Sequence, residues 1–217
     1  MHLFRTACLI VVLSAPAWAL SWTWGSTVGG LPVEVSINST FATDSWTITL
    51  DNLVEGPTGV LQNVSGFEAQ FSGGLTGTLS GVFGQLTTVA SDGTFAITAG
   101  SPDWFQPDPG LNLVTALGAS GPDHSLLGKP CVATGDYSCS NSSITGNGAH
   151  NPMAINALQL VMSLPGANAQ TQLTGLTLRF GTEPSVVVVD IPNDDVPEPG
   201  TFVLVGLSLW ALSKFRG

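Results

Sequence analysis

Short alternations of apolar and polar side chains constrain the fold of this chain more than any other feature. Residues 31–37 (LPVEVSI) and 46–50 (WTITL) alternate in this way, and glycine, proline, asparagine and aspartate separate them from the next segments. Residues 67–71 alternate as well, and further strand candidates lie at 75–79, 82–86, 94–98, 111–117, 157–164, 173–180 and 186–189. A period of two is typical of strands with one buried face. The sequence therefore predicts an all-β fold, an antiparallel β-sandwich with a jelly-roll or similar topology.

The N-terminus has the organisation of a secretory signal peptide. A short basic segment precedes an apolar run over residues 7–13, and Ala17 and Ala19 place small side chains where a signal peptidase requires them. The apolar run is much shorter than the ~20 residues of a membrane-spanning helix. The sequence predicts a signal helix over residues 1–19, which signal peptidase removes by cutting between Ala19 and Leu20.

The C-terminus combines a short motif, an apolar run and a basic end, in that order. The motif consists of Val196, Pro197, Glu198, Pro199 and Gly200. A nearly uncharged apolar run over residues 201–213 follows directly, and Lys214 and Arg216 come at the end of the chain. This arrangement resembles the PEP-CTERM sorting tail of proteins exported by Gram-negative bacteria.

The resemblance implies that an exosortase in the inner membrane recognises the motif and cuts there. The protein then passes to the cell surface or into an extracellular matrix, often one of exopolysaccharide. The prolines keep the motif extended for a protease cleft, and the basic end favours the cytoplasmic side. A helix over residues 201–213 is only ~20 Å long against ~30 Å of hydrocarbon, which favours transient inner-membrane association over a lasting anchor.

These signals divide the chain into four segments. The signal peptide covers residues 1–19, the β-sandwich domain 20–189, an acidic linker 190–195 and the sorting tail 196–217. Inside the domain, residues 99–155 carry six prolines and little alternation, so they are expected to form long excursions from the sheets.

Two of the three cysteines remain after the signal peptide, which contains Cys8, has been removed. Exported proteins meet an oxidising compartment, where Cys131 and Cys139 are expected to form a disulfide. Closing so small a loop stabilises the fold by about 2.5 kcal/mol in the chain-entropy description. A redox pair or a metal site is the alternative for these two residues.

Charged residues are unusually sparse, which excludes some partners. Only 9% of the residues are charged, and 15 acidic residues against 5 basic ones give a net charge of -10. Such a chain repels phosphate backbones, so no nucleic-acid partner is expected. The hydrophobic fraction of 43% is too high for a disordered chain.

Catalytic motifs are absent from the sequence. His124 lies next to Ser125, but a catalytic triad is defined by convergence in space and not by adjacency. The chain has no nucleophile elbow, zinc-protease helix or phosphate-binding glycine loop. We therefore predict no catalytic residue and no enzyme, with a secreted hydrolase as an alternative.

Calcium is the one cofactor that the loops suggest. Asp103, Asp108 and Asp123 lie in the irregular section, and Asp194 and Asp195 lie in the linker. Loop carboxylates of this kind can form oxygen cages, although no EF-hand pattern is present. The sequence predicts no cofactor and no metal ligand, with calcium left open.

Aromatic side chains offer possible sugar-binding surfaces. Trp46 belongs to a strong strand pattern and is expected in the core. Trp104, together with Phe105, lies between Pro102 and Pro107 and is predicted to form an exposed ligand platform.

Together these features predict an exported surface or matrix protein with a structural or adhesive role. Its partners would be signal peptidase and exosortase during export, and then matrix polysaccharide. A carbohydrate-binding module is the main alternative. An ice-binding protein is less favoured, because the threonine pairs Thr47/Thr49 and Thr76/Thr78 do not by themselves make a regular array.

Overall fold

The computed structural model describes residues 18–98, 100–117, 123–182, 185–189 and 191. They form antiparallel sheets and two single turns of 3₁₀ helix, Val60–Gln62 and Ser72–Gly74, which confirms the all-β prediction. The strands are β1 (Trp18–Val28), β2 (Leu31–Ala42), β3 (Ser45–Asn52), β4 (Val64–Phe71), β5 (Thr78–Val89), β6 (Phe95–Thr98), β7 (Leu113–Thr115), β8 (Met153–Ser163), β9 (Leu173–Phe180) and β10 (Ser185–Val189).

The predicted signal helix as far as Ala17, the predicted C-terminal helix and the sorting motif at 196–200 lie outside the described residues. Trp18, Ala19 and Leu20, which flank the predicted signal-peptidase cut, are described and begin β1, opposite Phe41, Thr40 and Ser39. In the part of the chain that is described, no helix is long and apolar enough to cross a bilayer.

Two sheets share one core. The first has six strands in the order β1-β2-β3-β8-β5-β6, and the second has four in the order β10-β9-β4-β7. Aromatic rings join them: the centroid of Trp46 lies 5.9 Å from that of Phe67 and 4.8 Å from that of Phe71. Trp24 stacks on Phe180 at 6.3 Å in the same way. The arrangement is that of a β-sandwich, with the sheets face to face.

Strand alternation decides which side chains enter this core. In β3, Trp46, Ile48 and Leu50 are fully buried, while the residues between them are partly exposed. In β2, Val35 and Ile37 are buried in the same alternating way. Burying an aliphatic or aromatic side chain contributes roughly 1.5–3 kcal/mol, so the alternation fixes the register of both strands.

The loop that contains Leu126 closes one side of the sandwich. Leu126 exchanges backbone hydrogen bonds of 2.7 and 3.1 Å with Val64 of β4, and it also forms a parallel bridge with Ala154 of β8. The amide Nδ2 of the buried Asn52 donates to the Leu126 carbonyl oxygen at 3.0 Å. Leu126 therefore connects the two sheets.

A second, smaller core lies on the opposite side of β8. Met153 and Ile155 alternate with Ala154, which belongs to the main core, so they face the other way. The excursion between β7 and β8 covers them. The second core consists of Val89, Leu127, Tyr137, Ile144, Met153 and Ile155.

The predicted disulfide between Cys131 and Cys139 is present in this excursion. The loop that it closes carries Tyr137, which is fully buried and donates its hydroxyl hydrogen to the Gly128 carbonyl oxygen at 2.8 Å. The Tyr137 ring also contacts Phe95 of β6 edge-on, at a centroid distance of 5.3 Å. The loop is thereby attached to β6, an edge strand of the six-stranded sheet.

Tyr137 should make the fold sensitive to alkali. Burial raises the pKa of its phenol above the ordinary value near 10. The unfolded chain ionises first, so the contribution of Tyr137 is complete below about pH 10. It then falls by up to about 1.4 kcal/mol per pH unit as the pH rises toward the folded pKa.

Tyr137 is the only tyrosine in the chain, so phenolate absorbance in a pH titration measures this residue alone. We expect ionisation at higher pH in the folded protein than in the denatured one. Tyr137→Phe should remove the corresponding fall in stability above pH ~10. Equal titration curves for the folded and denatured protein would contradict the burial of the phenol.

β1 begins and β10 ends toward the same end of the sandwich. Trp18 begins β1 opposite Phe41, beside the turn between β2 and β3. β10 starts opposite Phe180 and runs back along β9 until Val189 faces Leu176, toward that same end. The disulfide loop is attached at the other end of the strands.

Candidate binding face

One face of the six-stranded sheet carries a wide, uncharged polar surface. Residues directly opposite each other in antiparallel strands point to the same side of the sheet. The registers therefore place one side chain from each of five neighbouring strands in a row. This row, which we call the central row, consists of Ser21, Asn38, Thr49, Gln159 and Phe83.

A second row runs beside the central row. It consists of Thr40, Thr47, Val161 and Gly81, and it extends to Ala19 only before the predicted signal-peptidase cut. Neither row contains a charged residue. The charges on this face, Glu34 and Asp51, lie nearer the disulfide end, and Asp51 accepts a hydrogen bond of 2.6 Å from Nζ of Lys129. We call the two rows together the polar face.

Phe83 is the exposed aromatic residue of the polar face. Its side chain is 55% exposed, and every other aromatic side chain whose burial the structure describes is buried or partly buried. The ring lies along β5 over Gly81. A Cβ placed on Gly81 would be only 2.8 Å from Cε2 and 3.0 Å from Cζ of the ring. An aromatic ring over a strand glycine covers backbone that would otherwise face water. Sequence analysis missed this residue.

The structure corrects the prediction that Trp104 and Phe105 form an exposed platform. Trp104 is only 3% exposed and belongs to the main core. Its indole Nε1 donates a hydrogen bond of 2.7 Å to the carbonyl oxygen of His124, which holds the ring inside. Phe105 is partly buried, and its backbone pairs with Thr115 through two hydrogen bonds of 2.9 Å.

Residues of catalytic type have structural partners. Nδ1 of His124 accepts a hydrogen bond of 2.9 Å from the backbone amide of Asp103. Ser125 is fully buried, and its hydroxyl contacts the side-chain amide of Asn63 at 3.2 Å. The neighbouring His124 and Ser125 therefore hold loops together in this fold.

A shallow groove near the disulfide end contains two carboxylates. It has a volume of about 840 Å³, and its lining includes Glu34, Glu55 and Lys129. Both glutamates are exposed to solvent. The groove therefore presents these two carboxylates to solvent and does not enclose them.

The described aspartates among those considered for calcium do not form a common site. Asp108 accepts a hydrogen bond of 2.8 Å from the amide of Gly110 and so stabilises a turn. Asp103 is exposed and Asp123 is partly buried, while Asp194 and Asp195 lie outside the described residues. Across the described ranges, no three His, Cys, Asp or Glu side chains come together as metal ligands would.

The threonines considered for ice binding are divided between strand and loop. Thr47 and Thr49 both project from β3 onto the polar face. Thr78 begins β5 opposite Ser163, but Thr76 precedes the strand.

Comparison with known proteins adds no relative. No family model matches the chain, and no curated protein or solved structure matches it either.

Proposed function

We propose that this chain is an exported protein, processed by signal peptidase and exosortase, with a structural or adhesive role at the cell surface or in an extracellular matrix. Its domain is a jelly-roll-like sandwich between a signal helix and a short hydrophobic helix. The domain contacts its surroundings through the polar face and catalyses no reaction.

The observation that carries this proposal is the pairing of a disulfide-bonded sandwich with a broad uncharged face. The Cys131–Cys139 disulfide fits an oxidising compartment outside the cytoplasm. The polar face supplies hydroxyl and amide groups for contacts that do not depend on charge. The exposed groove with Glu34 and Glu55 gives weaker support to the alternative of a secreted hydrolase.

The proposal predicts two proteolytic cuts that mass spectrometry can detect. The secreted protein should begin at Leu20 and lack the segment that follows the motif, including Lys214 and Arg216. Replacing both Pro197 and Pro199 by alanine should abolish the second cut, because the motif would lose its imposed extended conformation.

Pro192→Ala is the matched control, since it changes a proline of the linker outside the motif. This variant should be processed like the unaltered chain. A secreted protein that keeps Lys214 and Arg216, or a Pro197/Pro199 variant that is cut normally, would overturn processing by exosortase.

A carbohydrate-binding module is the second candidate function, and the exposed Phe83 ring favours it. The sugar-binding surface expected from sequence at Trp104 would then lie at Phe83 instead.

A further inference from the structure

We propose that the polar face binds an uncharged polysaccharide, with one sugar ring stacked on Phe83. This inference rests on the proposed location of the protein outside the cell, and it names the partner of the same face. The occupant is a glycan without carboxylate, sulfate or phosphate groups.

The first argument is the placement of the Phe83 ring. The ring is 55% exposed and leans on the neighbouring backbone at Gly81, which leaves its outer face open to a ligand. The electron-rich face of an aromatic ring attracts the C–H groups on the apolar side of a sugar, and burial of both surfaces adds to this attraction. Because Gly81 has no side chain, the ring lies close to the sheet, where a polysaccharide that crosses the strands can contact it.

The second argument is the chemistry of the neighbouring side chains. Gln159 lies directly opposite Phe83, and Thr49 and Asn38 continue the central row across the next two strands. Amide and hydroxyl groups both donate and accept hydrogen bonds, as sugar hydroxyls do. All three side chains are at least partly exposed, so they remain available to a ligand.

The third argument is charge complementarity. Lys129 and Arg179 are the only basic residues between positions 20 and 195. Lys129 is paired with Asp51 and Arg179 with Glu68, so neither offers an unpaired cation to an anionic ligand. The rows of the polar face contain no charge, and the chain as a whole is acidic. The acidic protein would repel an acidic polysaccharide, whereas an uncharged polysaccharide would meet no electrostatic repulsion.

The test is native affinity electrophoresis of the secreted protein in gels that contain a soluble polysaccharide. The neutral probes are a soluble cellulose derivative, a mannan and a galactan, and alginate is the anionic probe. We expect retardation by at least one neutral probe and none by alginate. Phe83→Ala should weaken binding to that probe at least tenfold.

Two further variants separate stacking from a general loss of apolar surface. Leu111→Ala removes a side chain that is 47% exposed in the loop before β7, outside the six-stranded sheet, and should bind normally. Gly81→Val keeps Phe83 but displaces its ring, so it should weaken binding as Phe83→Ala does. Melting temperatures of all variants check that the fold is retained.

Each result decides for or against the proposal. The proposal is overturned if none of the neutral probes retards the protein or if alginate retards it instead. It is also overturned if Phe83→Ala binds the neutral probe as strongly as the unaltered protein does. None of these results would affect the proteolytic cuts seen by mass spectrometry. Failure of the glycan proposal is therefore distinguishable from failure of the proposed export and sorting.

Discussion

Replacing Trp46 by alanine is expected to lower the free energy of unfolding by about 5 kcal/mol. Truncating a fully buried tryptophan costs about 3–5 kcal/mol through the lost burial and the cavity. Trp46 also contacts Phe41 on the neighbouring strand and Phe67 and Phe71 on the facing sheet, so the cavity would open between the sheets. Its indole Nε1 donates a hydrogen bond of 2.8 Å to the Ser39 hydroxyl. Loss of this donor leaves the buried hydroxyl without its hydrogen-bond partner, which adds to the destabilisation.

Urea denaturation followed by circular dichroism measures this change. A loss of about 5 kcal/mol equals the entire stability of many domains, so Trp46→Ala is expected to be largely unfolded. Trp46→Phe is the milder variant: it keeps an aromatic ring and should lose about 2 kcal/mol. Combining it with Ser39→Ala should recover part of that loss, because no hydroxyl is then left unpaired. A Trp46→Ala protein with nearly unchanged stability would contradict the packing described here.

Replacing Gly93 by alanine should destabilise the protein by about 3 kcal/mol. Gly93 has a φ of +89°, in the region that side-chain-bearing residues rarely adopt, which costs about 1 kcal/mol. In addition, a Cβ there would lie 2.3 Å from the backbone nitrogen of Ser138. Backbone cannot rotate away as a side chain can, so the disulfide loop would have to shift, at a further cost of about 2 kcal/mol.

Gly73→Ala is the matched control for this prediction. Gly73 has a similar φ of +75°, but no atom lies within 4 Å of the position that its Cβ would take. It should therefore show only the backbone cost of about 1 kcal/mol. Thermal or urea denaturation of the two variants separates conformational strain from close packing, and equal losses would argue against tight packing of the loop on Gly93.

The strands were predictable where one face is buried and the other is open to water. The alternation in 31–37, 46–50 and 173–180 identified β2, β3 and β9, because burial of every second residue leaves a direct trace in the sequence. β1 was not predicted as a strand. Its Ser, Thr and Gly residues dilute the alternation around Trp22 and Trp24.

Phe83 was missed because its direction depends on irregular pairing in β5. Segments 75–79 and 82–86 suggested two separate strands, but β5 is one strand whose pairing with β8 shifts at Ser80 and at Gly84. The shift at Ser80 inserts one residue into β5 and reverses the inward and outward positions that follow it, whereas the shift at Gly84 places extra residues in β8. Leu79 and Val82 both pack against the core although they are three residues apart, so Phe83 faces outward.

Trp104 was assigned to the surface because its prolines indicated a loop. The loop itself is correct, since residues 100–112 contain no strand. A loop residue is buried or exposed according to distant partners, and here the partner is the carbonyl oxygen of His124, 20 residues further along the chain. Local patterns carry no information about such a contact. The disulfide was predictable because only two cysteines remained to pair.

Because β1 begins at Trp18 and β10 ends at Val189 toward the same end of the sandwich, a tether joined to either strand would hold the domain by that end. The disulfide loop, attached at the other end of the strands, would then be the covalently reinforced part farthest from the tether. The polar face runs along the side of the domain and stays open to a long polymer whichever strand carries the tether.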